Sequence, residues 1–125
     1  MNARGAVGYK TIERYMTQVY SGALGRVPDA SGLKHWQNVL ATGEMTGSGM
    51  VSYFFTSQEY VNKNKTNTAF ITDLYKVVMG RNPDTSGLNY WVGLLNSGTS
   101  RVSVINNFTG SDEFLNMCKL NGMIR

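Results

Sequence analysis

The chain has 125 residues, 42% hydrophobic and 16% charged, with a formal charge of +4, which suits one domain with a real core and not two independent ones. The positive excess is scattered over Arg14, Lys34, Lys63, Lys65, Lys76, Arg101 and Lys119, without the run or stripe that would argue for nucleic acid or an anionic membrane. Cys118 stands alone, which excludes an intramolecular disulfide, no apolar stretch reaches the ~18 residues of a membrane span, and MNARGAVGYK lacks the apolar centre of a signal peptide.

Residues 1–8 carry Gly5 and Gly8 without periodicity and are expected to form a flexible N-terminus ahead of a single domain over 9–125. From Tyr9 onward Ile12, Tyr15, Met16, Val19, Tyr20, Ala23 and Leu24 step by three and four, which places them on one face of a helix. Gly25 ends it, because glycine enters the left-handed conformation of a helix stop without steric cost. Asp29 then serves as an N-cap for a helix with Leu33, Trp36 and Leu40 on its apolar stripe, closed by Gly43. A third helix carries Met50, Val51 and Phe54, and Ser57 caps a short fourth with Glu59 in its first turn, where the helix dipole favours an anion.

A polar joiner, Asn62 to Asn67, follows, and then the pattern begins again. GRVPDASGLKHW at 25–36 returns as GRNPDTSGLNYW at 80–91, at a constant offset of 55 residues. Phe70, Ile71, Leu74, Tyr75, Val78 and Met79 repeat the first stripe; Gly80, Arg81, Asp84, Gly87 and Trp91 repeat Gly25, Arg26, Asp29, Gly32 and Trp36. FFTSQEY at 54–60 returns as FTGSDEF at 108–114, with Ser111 as the cap and Glu113 in the place of Glu59. The expected fold is therefore all-α, about eight helices from two tandem four-helix repeats (9–64 and 65–120) sharing one core, since the joiner is short.

The LGRxPDxxGLxxW signature, a glycine turn and a SxEY/F helix together resemble the bacterial domain-of-unknown-function 4214 family, itself similar in pattern to phycobilisome linker domains. Here they read ALGRVPDASGLKHW with TSQEY and VMGRNPDTSGLNYW with GSDEF, and the resemblance covers roughly residues 12–120. It implies an α-helical, non-catalytic module of large secreted or surface-attached bacterial proteins, hence an extracellular or cell-surface location. It brings no catalytic residues to carry over.

The repeated Arg26/Asp29 and Arg81/Asp84 pairs fit a carboxylate or sugar clamp through the guanidinium fork. They fit better a brace, in which each arginine ties its loop to its own aspartate or to Glu59 and Glu113, because a brace must appear in both repeats. Trp36 and Trp91 sit at core spacing. His35 and Tyr90 occupy equivalent places and differ, so they and Tyr53, with Tyr9, Tyr60 and the repeat-specific stretch 44–49, are the positions for recognising a glycan or another surface protein. His35 and Cys118 are the only histidine and cysteine, too few for zinc and far apart in the chain for a nucleophile–base pair. The PDASG and PDTSG loops offer one carboxylate and one serine each, short of a calcium loop, and no glycine pattern makes a phosphate loop. The expectation is a non-enzymatic adhesion or assembly module without metal or cofactor, the alternative being a carbohydrate-binding module acting through surface aromatics.

Overall fold

The chain is seen in a computed structural model that describes residues 3–125, with side chains from Thr11 onward. Helix α1 spans Ala3–Val19 and widens at its end into a π-helical segment, Tyr20–Leu24. Then come α2 (Ala30–Thr42), α3 (Gly47–Thr56) and α4 (Gln58–Val61). Repeat 2 follows the same order: α5 (Asn67–Leu74) with a π segment Tyr75–Met79, α6 (Thr85–Asn96), α7 (Arg101–Thr109) and α8 (Asp112–Leu120). Among the described residues there is no strand. Residues 3–8, part of the expected flexible N-terminus, are helical and belong to α1; Ala3, Arg4 and Ala6 are good helix formers and carry it past Gly5 and Gly8. Residues 1–2 of that tail lie outside the described residues.

Local chemistry sets most of the helix boundaries. Side-chain oxygens of Thr46, Ser57, Thr66, Asp84, Ser100 and Ser111 each accept the backbone N–H three residues on, at 3.0–3.2 Å. Gly25 and Gly80 close the π segments with φ of 67° and 69°. The expected stripes are buried: Ile12, Tyr15, Met16, Val19, Tyr20, Ala23 and Leu24 in repeat 1, with Phe70, Ile71, Leu74, Tyr75 and Val78 in repeat 2. Together with Phe54, Phe55, Phe108 and Phe114 they form one cluster drawn from both repeats.

The two halves face each other about an internal two-fold. Helix α1 meets the second π segment, α5 meets the first, and α3 lies on its equivalent α7. The two π segments cross where Gly22 meets Val77, its counterpart in repeat 2; a Cβ on Gly22 would stand 3.1 Å from Val77 Cγ2. Val77 is fully buried here, seven residues from Phe70 and three from Leu74 and so on their side of the helix. Tyr15 Oη donates to Val77 O (2.8 Å) and Gln18 Nε2 to Lys76 O (2.8 Å), so backbone carbonyls at the widened turn find partners across the junction.

The stretch 44–49 is partly covered, with Glu44 exposed and Gly47 buried. Thr46 caps α3, Gly47 is buried, and the Gly47 N–H donates to Ile124 O at 2.6 Å, so the C-terminal tail covers it. Thr11 Oγ1 donates to Asn121 O at 3.1 Å and fastens the same tail to α1.

The repeated Gly32 and Gly87 have a steric cause. A Cβ on Gly87 would lie 2.5 Å from Asp84 Oδ1 and 2.6 Å from the Tyr75 hydroxyl, and one on Gly32 would lie 2.7 Å from Asp29 Oδ1 and 3.1 Å from the Tyr20 hydroxyl. Gly93, in the same helix as Gly87, has nothing within 4 Å of its added Cβ. Gly87→Ala should therefore lower stability by ~1–3 kcal/mol through overpacking, while Gly93→Ala should raise it by ~0.5–1 kcal/mol through helix propensity. Chemical denaturation of the two variants checks the opposite signs.

Candidate functional site

Each repeat builds the same knot around its arginine. In repeat 1, Arg26 donates from Nε to Glu59 Oε2 (2.9 Å) and from Nη2 to Glu59 Oε1 (3.0 Å), and its guanidinium lies over the Tyr20 ring at 5.0 Å. In repeat 2, Arg81 grips Glu113 at 3.2 and 3.3 Å over Tyr75 at 5.2 Å. Of the two braces open from the sequence, the glutamate of the fourth helix is the partner. Tyr20 packs edge-on against Phe54 (5.0 Å) and Tyr75 against Phe108 (5.1 Å), with Trp36 and Trp91 completing the stack at 5.3 and 4.9 Å from those phenylalanines.

Both aspartates stand at the N-cap, but only Asp84 makes the expected side-chain cap, and Asp29 is a correction. Asp84 Oδ1 accepts the Gly87 N–H, whereas the Asp29 carboxylate takes the Ser31 hydroxyl at 2.8 Å. That bond holds the Asp29 carboxyl below its ordinary range, and the Arg26 fork does the same for Glu59.

The two repeats diverge at the surface beside these knots. Tyr53 is 56% exposed and stands edge-on to Trp36 at 5.3 Å, covering the indole so that Trp36 is only 5% exposed. His35 flanks the same indole at 5.4 Å and is itself exposed. In repeat 2 the place of Tyr53 is taken by Asn107, and Trp91 is partly uncovered with Tyr90, 61% exposed, edge-on at 5.1 Å. His35 and Tyr53 thus come together around Trp36, while Tyr90 belongs to the other repeat's surface.

A cleft of about 290 Å³ opens in repeat 1 between Tyr20, Trp36, Tyr53, Arg26, Gln58 and Glu59. The sequence marks Glu59 as a helix-start residue and Tyr20 as core, and is silent on Gln58; the signal that points to this wall is the substitution of Tyr53 by Asn107 at the matched position. Of the remaining aromatics, Tyr60 is a correction: it is buried, donating its hydroxyl to Asp73 Oδ2 at 2.8 Å, and burial raises its pKa. The Tyr9 side chain lies outside the described residues. Cys118 is fully buried, and burial pushes its thiol up to about 11, which keeps it neutral and unreactive near pH 7. Among the described residues no three His, Cys, Asp or Glu side chains gather to hold a metal ion, and no helix is long and apolar enough to cross a membrane.

A family model described as "Domain of unknown function (DUF4214)" matches residues 6–64 and again residues 51–118, the two matches overlapping at α3 and α4. No curated protein and no solved structure matches the chain.

Asp84→Ala should lower stability by ~1 kcal/mol, the usual loss of an N-cap, read by denaturant titration. The Glu59 carboxyl, held below its unfolded value of ~4.3, contributes stability above that pH and loses it as the pH falls through its folded value. Melting temperature followed from pH 7 to pH 3 should fall more steeply for the natural chain than for Glu59→Gln, which starts lower at pH 7. Parallel curves would assign the acid sensitivity elsewhere.

Proposed function

The chain belongs to the DUF4214 family in two tandem copies, and from that premise we propose that it is a non-catalytic interaction module of a secreted or cell-surface bacterial protein, mediating adhesion or assembly. One observation carries this reading. The side chains of the signature with chemistry to offer are taken up inside the scaffold: both arginines grip their glutamates, and both aspartates sit at helix starts holding a serine hydroxyl or a backbone N–H. Among the exposed positions that differ between the repeats are aromatic ones, Tyr53 with His35 on one side and Tyr90 on the other. Exposed tyrosines supply rigid, amphipathic contact area at low entropic cost, which is the chemistry of recognition surfaces.

Carbohydrate binding is the second reading, and the cleft beside Tyr53 favours it. An aromatic wall there faces a carboxylate, a guanidinium and an amide, the mixture of apolar surface and few placed polar groups found in small-ligand sites.

Beads coated with the purified chain should be retained on bacterial envelope and matrix material, and beads coated with a Tyr53→Ala/Tyr90→Ala variant shown to be folded at the assay temperature should wash off. Equal retention of both, or retention of neither, overturns the adhesion reading. Release by free sugars identifies a glycan partner, and indifference to sugars a protein one.

A further inference from the structure

The cleft of repeat 1 has no counterpart in chemistry on repeat 2, and that difference narrows what it takes. Its volume of about 290 Å³ lies at the low end of small-molecule sites, ~300–1,000 Å³, and suits one sugar ring rather than a long oligomer. The Tyr53 ring forms its outer wall. Two neighbours fix that ring edge-on, Trp36 at 5.3 Å and Phe54 at 5.6 Å, so its orientation is set before any ligand arrives. A tyrosine face of this kind, negative in its quadrupole, attracts the slightly positive C–H face of a pyranose.

The polar side of the cleft is a closed ion pair. Arg26 and Glu59 satisfy each other through two hydrogen bonds, so the rim presents donors and acceptors in neutral balance. Each Glu59 oxygen takes one bond from Arg26 and keeps lone-pair capacity for a hydroxyl donor. An anionic ligand would meet the Glu59 carboxylate, and a cationic one the Arg26 guanidinium. A neutral polyol meets neither penalty.

Repeat 2 supplies the internal control. Asn107 replaces Tyr53 and turns its amide to Ser103 O of its own helix at 3.0 Å, so the outer tyrosine wall is missing and the partly uncovered Trp91 ring has nothing facing it there. Asp112 replaces Gln58 and adds a negative charge beside Glu113. We infer that the chain has a single binding site for a neutral pyranose, in the repeat 1 cleft against Tyr53, and that the matching surface of repeat 2 takes none. The inference rests on the carbohydrate reading and names its site, ligand class and stoichiometry.

The test titrates the full chain, by intrinsic fluorescence and calorimetry, with the methyl glycosides of glucose, galactose, mannose and N-acetylglucosamine, and with glucuronate. At least one neutral glycoside should bind saturably with one site per chain, and glucuronate more weakly. Tyr53→Asn, which copies repeat 2, should weaken binding at least tenfold while the chain still unfolds in one cooperative transition above the titration temperature. Tyr53→Phe keeps the ring and should bind within about threefold of the natural chain, and Tyr90→Ala within twofold. Sugar binding that survives Tyr53→Asn, occurs at two sites per chain or prefers glucuronate overturns the assigned site while leaving the carbohydrate reading standing. No binding of these sugars overturns the site; a blank glycan array on the same chain overturns the carbohydrate reading as well.

Discussion

An arginine fork closed on a glutamate 33 residues later in repeat 1, and 32 later in repeat 2, joins the end of the first helix to the start of the fourth. Its strength as an ion pair is modest, because the side chains of both partners are about half exposed and such pairs contribute little in water. What it supplies is geometry. The planar guanidinium has one edge committed to the carboxylate and one face laid over a tyrosine ring. That tyrosine opens the π segment, its hydroxyl reaches over the first turn of the next helix, and the helix must carry glycine where the hydroxyl and the capping aspartate converge. The phenylalanine and tryptophan stacked behind it then have one place to go. A lysine at the same position would keep the charge and lose the fork.

Symmetry holds in the scaffold and breaks at the junction. Tyr60 and Asp73 form a buried hydrogen bond, with Lys65 of the joiner 3.3 Å from the same carboxylate. The matched positions in the sequence are Phe114 and Gln18, an apolar ring and an amide that reaches a backbone carbonyl instead. A buried carboxylate needs partners, and it has them only where the joiner passes. Arg101 adds to the same corner, donating to Lys65 O and Asn67 Oδ1 while lying over the Phe70 ring. The connection between repeats is therefore anchored by polar contacts that neither repeat needs for its own fold.

Most of the architecture was legible because duplication compares the chain with itself. Residues that return, such as Gly32 with Gly87 and Arg26 with Arg81, are those the knot requires, and helical periodicity named nearly all of the first-helix core. Val77 escaped because its matched position in repeat 1 is Gly22, so comparing the repeats gave no apolar partner to mark it. Asp73 and Tyr60 escaped because their partnership spans two elements whose packing no local pattern encodes. The contact of the stretch 44–49 with the C-terminal tail escaped for a related reason, since it joins distant parts of the chain. Of the candidate site, His35, Tyr53 and Tyr90 were visible as unshared aromatics. That Tyr53 shelters Trp36, while Asn107 leaves Trp91 partly bare, needed the packing.

The crossing of Gly22 with Val77 puts equivalent points of the two repeats against each other. A single repeat would bare the face of its π segment to water, and in this chain the cover for that face is the matching face of its own copy. Duplication within one polypeptide thus supplies at once both a surface and the surface that fits it.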